Sequence, residues 1–110
     1  MNITTTELAD GVAVVAVDGR LNVVTAPAMK REVQRLVQQG DVKLAVDLSA
    51  VEFIDSSGLG ALMGGLKAAR TAGGDLRIAG ATEQVVSVLR LTNLDKVLRV
   101  YDDPQSAYGA

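Results

Sequence analysis

The chain of 110 residues contains no cysteine, no histidine and no tryptophan. Without cysteine there are no disulfides and no thiolate chemistry, and the absence of histidine also removes the imidazole base and most zinc sites. Any covalent chemistry then falls to hydroxyls and carboxylates, and no metal or other cofactor is expected. Aromatic residues make up 3% of the sequence, too few to build a platform on which bases could stack. A dominant charge is missing too. Eleven Lys plus Arg stand against thirteen Asp plus Glu, for a formal net charge of -2, which is too weak and too mixed to steer a polyanion. Nucleic acid is not an expected partner. Long hydrophobic runs are also scarce. The most membrane-like stretch, residues 59–66, falls far short of the roughly 20 apolar residues of a spanning helix, and residues 1–7 have neither the basic start nor the apolar run of a signal peptide. The expectation is a cytoplasmic protein that does not engage a membrane.

What is present has the balance of an ordered globular domain: 48% hydrophobic and 22% charged residues, well away from the disordered range. This length buries one core but not two, so a single domain over residues 1–110 with one site is expected, its core built from Val, Leu, Ile and Ala. Residues 3–8 and 12–17 are rich in Thr and Val, and Ala9-Asp10-Gly11 between them favours a tight reversal, which predicts an antiparallel hairpin. Residues 25–39 place Met29, Val33, Leu36 and Val37 at helical spacing, with Thr25 as N-cap, Pro27 in the first turn and Gly40 as the stop.

Val42, Leu44, Val46 and Leu48 alternate with Lys43, Ala45, Asp47 and Ser49, the period of a strand, and residues 51–54 continue the apolar character. Asp55-Ser56-Ser57 breaks the pattern. Leu59, Leu62, Met63 and Leu66 then share a helical face running to about Ala72. Gly73-Gly74-Asp75 reads as a turn, residues 76–79 as a short strand, residues 83–91 as a helix capped by Thr82, and residues 97–101 as a last strand. The tail, 102–110, is expected to hold at most a frayed turn of helix. Strands alternating with helices imply crossover connections. The fold class is α/β, a mixed, mostly parallel sheet with an N-terminal antiparallel hairpin and three to four helices.

The segment richest in information is Asp47-Leu48-Ser49-Ala50-Val51-Glu52-Phe53-Ile54-Asp55-Ser56-Ser57-Gly58-Leu59-Gly60. It resembles the signature of STAS domains, above all of the anti-sigma factor antagonists, in which the first Ser after the Asp accepts phosphate. Gly19-Arg20-Leu21-Asn22 with Thr25-Ala26, and the Gly-Gly-Asp-Leu-Arg-Ile stretch at 73–78, fit the same family, so the resemblance spans nearly the whole chain. It implies a STAS fold and Ser56 as phosphoacceptor. It also implies a binding surface that includes Asn22, Thr25, Asp55, Ser56, Ser57, Gly58, Leu59 and Gly60. The implied partners are a serine-kinase anti-sigma factor, which the unphosphorylated form binds so that a sigma factor is released, and a serine phosphatase that resets the switch. The chain itself would catalyse nothing and would be a monomer or weak dimer. Asn22 departs from the family, where many relatives carry Asp; the amide keeps the size and loses the charge.

Physical chemistry is consistent with that implication. A hydroxyl at a strand-to-helix turn is exposed and faces the positive end of the helix, where a phosphate of roughly -1.5 to -2 charges is tolerated by the fold. Gly58 and Gly60 would let a partner approach the backbone, with Leu59 as an apolar anchor if it points outward. Gly64 and Gly65, in mid-helix, need close packing to offset their low helix propensity. Other readings exist for the same residues. Asp55 and Ser56 could simply cap a helix. Glycines 58, 60 and 64 resemble a dinucleotide fingerprint but with the wrong spacing, and no phosphate-cradling loop of the nucleotide hydrolases occurs. A serine hydrolase using Ser56 would lack a nearby base. A STAS scaffold subunit of a transporter or stress-signalling complex, without phosphorylation, is the main alternative within the family.

Overall fold

The computed structural model describes residues 2–8 and 10–109, so Ala9 of the expected Ala9-Asp10-Gly11 reversal lies outside the described residues. The elements run β1 (Asn2–Glu7), β2 (Val12–Leu21), α1 (Ala26–Gln38), β3 (Lys43–Ile54), α2 (Ser56–Thr71), β4 (Asp75–Ala79), α3 (Glu83–Leu91), a 3-10 turn (Leu94–Lys96), β5 (Val100–Tyr101) and α4 (Pro104–Ala107). The sheet has the order β1-β2-β3-β4-β5, with β1 antiparallel to β2 and every later pair parallel. Each parallel strand lies beside its predecessor, so right-handed crossovers bring α1, α2 and α3 to one face. The mixed α/β sheet and its N-terminal hairpin are as expected.

The main core lies between that face and the helices. Val15 and Val17 of β2, Leu44, Val46 and Leu48 of β3, Met29 and Leu36 of α1, Leu62 of α2 and Leu89 of α3 are all essentially inaccessible. Met63 is half-buried and packs against them. In mid-helix α2, a Cβ on Gly65 would stand 2.9 Å from Leu76 Cδ1 and 3.3 Å from Val33 Cγ1, so that glycine is where α2 fits closely against α1 and β4. Gly64 faces open space instead, and nothing in the structure explains it.

β3 is one continuous strand. Its buried positions run Leu44, Val46, Leu48 and then shift to Val51 and Ile54. The pairing with β2 slips at the same level, between Ala16 and Asp18 and again between Gly19 and Arg20. A bulge of this kind bends the strand and re-aims the side chains beyond it. It is the reason the alternation in the sequence breaks after Ser49.

Two expectations near the C-terminus are corrected. The strand expected over 97–101 reduces to Val100–Tyr101, because Asn93 adopts a left-handed conformation (φ 60°) and opens a 3-10 turn whose first carbonyl, Leu94 O, accepts both the Val97 and the Leu98 N–H. The tail is not frayed. Asp103 and Ser106 form a reciprocal capping box at α4, and Ala107 is buried against Val12, Val14 and Ala45 on the sheet face opposite the main core. The Tyr108 hydroxyl reaches the carbonyls of Leu44 (2.9 Å) and Asp75 (2.8 Å), and Arg77 donates to Ala107 O at 2.7 Å. The Arg77 guanidinium also lies 4.2 Å from the Tyr108 ring centroid. Among the described residues no helix is long and apolar enough to cross a membrane.

Candidate functional site

β2 and β3 are parallel and end level with each other, Leu21 beside Ile54. The segments that follow, residues 22–25 and Asp55, therefore emerge together at the carboxyl ends of the strands, the end at which open α/β sheets place their sites. A hydrogen bond from Asp55 N–H to Leu21 O, 3.2 Å, ties them.

Asp55 is extended (φ -112°, ψ -172°), and its Oδ1 accepts the Gly58 N–H at 2.9 Å. It is the N-cap of α2. Ser56 is the first residue of that helix and is exposed, with Ser57 after it half-buried. The Ser56 hydroxyl thus stands at the positive end of a helix of 16 residues, where unpaired N–H groups and the helix dipole favour an anion. The Asp55 Oδ1 is engaged with the Gly58 N–H, which makes the carboxylate a cap of the helix that begins with Ser56.

The structure corrects the expectation for Gly58 and Leu59. Both are buried, Leu59 at 8% exposure and within the main core. A Cβ on Gly58 would overlap the Leu21 carbonyl oxygen and come within 2.9 Å of Ile54 Cγ1. The helix begins at Ser56, and by the third and fourth positions it has turned toward the strand ends. These residues seat the helix against the strand ends. Gly60, one step further, is exposed with open space around it.

Thr25 holds the N-cap position of α1, as expected, but its backbone is helical and its side chain makes no cap bond. Its hydroxyl instead donates to Arg20 O at 2.6 Å and accepts the Asn22 N–H at 2.9 Å. Asn22 does the terminating work: its Oδ1 accepts Val24 N–H (3.0 Å) and Thr25 N–H (3.2 Å). Only the carbonyl oxygen of the amide is used in these bonds, and a carboxylate supplies the same acceptor. Asn in place of Asp therefore keeps the loop's geometry while removing a charge at the end of the sheet from which α2 starts.

Three apolar side chains at this end of the sheet went unremarked in the sequence. Val23 is 67% exposed, Val24 80% and Phe53 45%, and the Arg20 guanidinium lies 5.6 Å from the Phe53 ring centroid. Adjacent valines inside a polar turn were the available signal for the first two. Phe53 falls out of phase with the buried positions only because of the β3 bulge.

The STAS domain family model matches residues 4–107. The chain is 32% identical over 100 residues to the anti-sigma-B factor antagonist of Staphylococcus aureus, covering 91% of this chain and 92% of that one. It superposes on the crystal structure of a Thermotoga maritima protein with a TM-score of 0.87 at 32% identity, over 96% of this chain and 90% of that chain. Against the crystal structure of an anti-sigma factor antagonist from Mycobacterium paratuberculosis the TM-score is 0.77 at 35% identity, over 96% and 91%.

Proposed function

The chain belongs to the STAS domain family, and from that premise we propose that it is an anti-sigma factor antagonist that works by partner switching, with Ser56 as the phosphoacceptor. The observation that carries this reading is the exposed Ser56 hydroxyl, set as the first residue of α2 directly behind the Asp55 cap. The Staphylococcus aureus and Mycobacterium paratuberculosis relatives bear the name of that role.

In the cytoplasm the unphosphorylated chain binds a serine-kinase anti-sigma factor, and the sigma factor is released. The kinase then transfers the γ-phosphoryl group of its own ATP to Ser56 Oγ: the bond to the β-phosphate oxygen breaks, ADP leaves, and the hydroxyl proton is lost. This chain is the substrate of that step. Its contact surface comprises Asn22, Thr25, Asp55, Ser56, Ser57 and Gly60 with the apolar side chains of Val23, Val24 and Phe53, while Gly58 and Leu59 hold the turn from inside.

A phosphate at the helix N-terminus leaves the fold intact, because charge and dipole are favourably aligned. Within a docked interface the same charge must lose its water, which weakens the complex. A change of about 1.4 kcal/mol alters affinity tenfold, so a switch needs no rearrangement of the domain. A serine phosphatase restores the binding form. Calorimetric titration with the cognate anti-sigma factor tests this: Ser56→Ala is expected to bind as the wild type does, and Ser56→Asp at least tenfold more weakly. Equal affinity for both variants contradicts the reading.

A further inference from the structure

β1 is an edge of the sheet, and its backbone pattern can be derived. Leu8 N–H donates to Val12 O at 2.8 Å, which continues the register Asn2↔Asp18, Thr4↔Ala16, Thr6↔Val14. In an antiparallel ladder hydrogen-bonded pairs alternate with non-bonded ones. The even residues of β1 therefore bond to β2, and the N–H and C=O groups of Ile3, Thr5 and Glu7 point away from the sheet. The odd side chains face α1, where Ile3 packs on the main core and the Thr5 hydroxyl meets Glu32. Thr4 and Thr6 lie on the other face and are exposed.

Natural sheets blunt such an edge with proline, lysine, a bulge or a very short strand. β1, Asn-Ile-Thr-Thr-Thr-Glu, is six residues long, pairs with β2 without a break, and contains neither proline nor lysine. The opposite edge, β5, is only two residues long. β1 is the long, unblunted side of this sheet.

We propose that β1 pairs antiparallel with β1 of a second copy about a two-fold axis at Thr5, joining two sheets into one. The two-fold must stand perpendicular to the sheet for the strands to run antiparallel, so residues of like parity face each other. Centred at Thr5, it sets Thr5 against Thr5 and Ile3 against Glu7 as hydrogen-bonded pairs, using every outward N–H and C=O. Thr4 then lies opposite Thr6 on the open face, a favourable threonine pair. Each Glu7 meets an isoleucine rather than the other Glu7, so no like charges face each other across the seam. Ser56 lies beyond the end of β3, separated from this edge by β2, and a dimer so formed keeps both phosphoacceptors available. Strand pairing alone makes a small interface, so the dimer is weak.

Sedimentation equilibrium of the full chain from about 1 μM to about 1 mM tests the proposal. The expected mass rises from 11.5 kDa toward twice that value. Glu7→Pro removes an outward N–H while leaving the bonds to β2 in place, and is expected to weaken self-association at least tenfold. A charge pair tests the register without introducing a proline. Thr4→Lys with Thr6→Lys sets cation against cation and is expected to give a monomer, whereas Thr4→Lys with Thr6→Glu restores the dimer. A monomer at every concentration overturns the proposal and leaves the edge to a strand of another protein. A dimer indifferent to these changes overturns it equally.

Discussion

Gly58 passes so close to Leu21 that no side chain could stand between them: a Cβ on the glycine would overlap the Leu21 carbonyl oxygen. That carbonyl also accepts the Asp55 N–H, so a single backbone group of β2 positions the entry of α2. Gly58→Ala is expected to destabilise the domain by about 1–3 kcal/mol, the usual cost of overpacking. Gly60→Ala, exposed and in open space, is expected to stabilise it by about 0.5–1 kcal/mol through helix propensity. Urea denaturation of the two variants gives the comparison, and a like sign for both would contradict this account of the turn.

Removing the cap probes the same turn from its polar side. Asp55→Ala leaves the Gly58 N–H without its 2.9 Å acceptor and is expected to lower stability by about 1 kcal/mol. Asp55→Asn, which retains an acceptor oxygen, is expected to recover most of it. Thermal unfolding of the pair distinguishes loss of the hydrogen bond from loss of the charge.

Acid should weaken the α1–β1 contact. The Arg35 guanidinium, then the Thr5 hydroxyl, hold the Glu32 carboxyl down from 4.5 to about 2, and Arg35 Nη2 lies 2.8 Å from Glu32 Oε2. A depressed folded-state value stabilises the fold above pH 4.5, and that contribution is lost as pH falls from about 4.5 through about 2. Arg35 is half exposed, so salt screens part of the effect. Glu32→Gln is expected to flatten the stability profile across that window. An unchanged profile would show the pair to be inconsequential.

At the other end of the scale stands Tyr108. Burial, and next the negative charge of Asp75, raise its hydroxyl from 10.0 to about 12. One hydroxyl proton is shared between the carbonyls of Leu44 and Asp75. A raised value means that its contribution is complete below pH 10 and declines as pH rises from about 10 through 12. Tyr108→Phe is expected to cost about 1 kcal/mol at neutral pH and to remove that alkaline decline. Hydrogen exchange should then report earlier opening of α4.

Residues whose pattern is local were legible before folding. The alternation from Val42 to Leu48, the periodic apolar face of α2, Gly40 as the stop of α1 and Thr82 as the cap of α3 each follow from neighbours along the chain. The structure bears these out, with Thr82 Oγ1 accepting the Val85 N–H. The place of Ser56 at the start of α2 was legible because a strand, an Asp and a helix stand next to one another in sequence, while its role as phosphoacceptor was read from the resemblance of residues 47–60. What sequence did not yield depends on distant partners. Leu59 was an anchor only if it pointed outward, and its burial is decided by a core assembled from strands distant in sequence. Val23 and Val24 stay largely exposed, as does Phe53 beneath the Arg20 guanidinium, because burial depends on which distant elements pack over a residue. Tyr108 looked like part of a loose tail, and its partners at Leu44 and Asp75 lie 64 and 33 residues away.

The central claim is that Ser56 receives the phosphoryl group, and site-resolved mass spectrometry after incubation with the cognate kinase and ATP tests it most directly. The expected result is a single phosphate on Ser56, absent from Ser56→Ala while that variant keeps its native circular dichroism. Phosphate carried on Ser57 or elsewhere, with Ser56 unmodified, would contradict it.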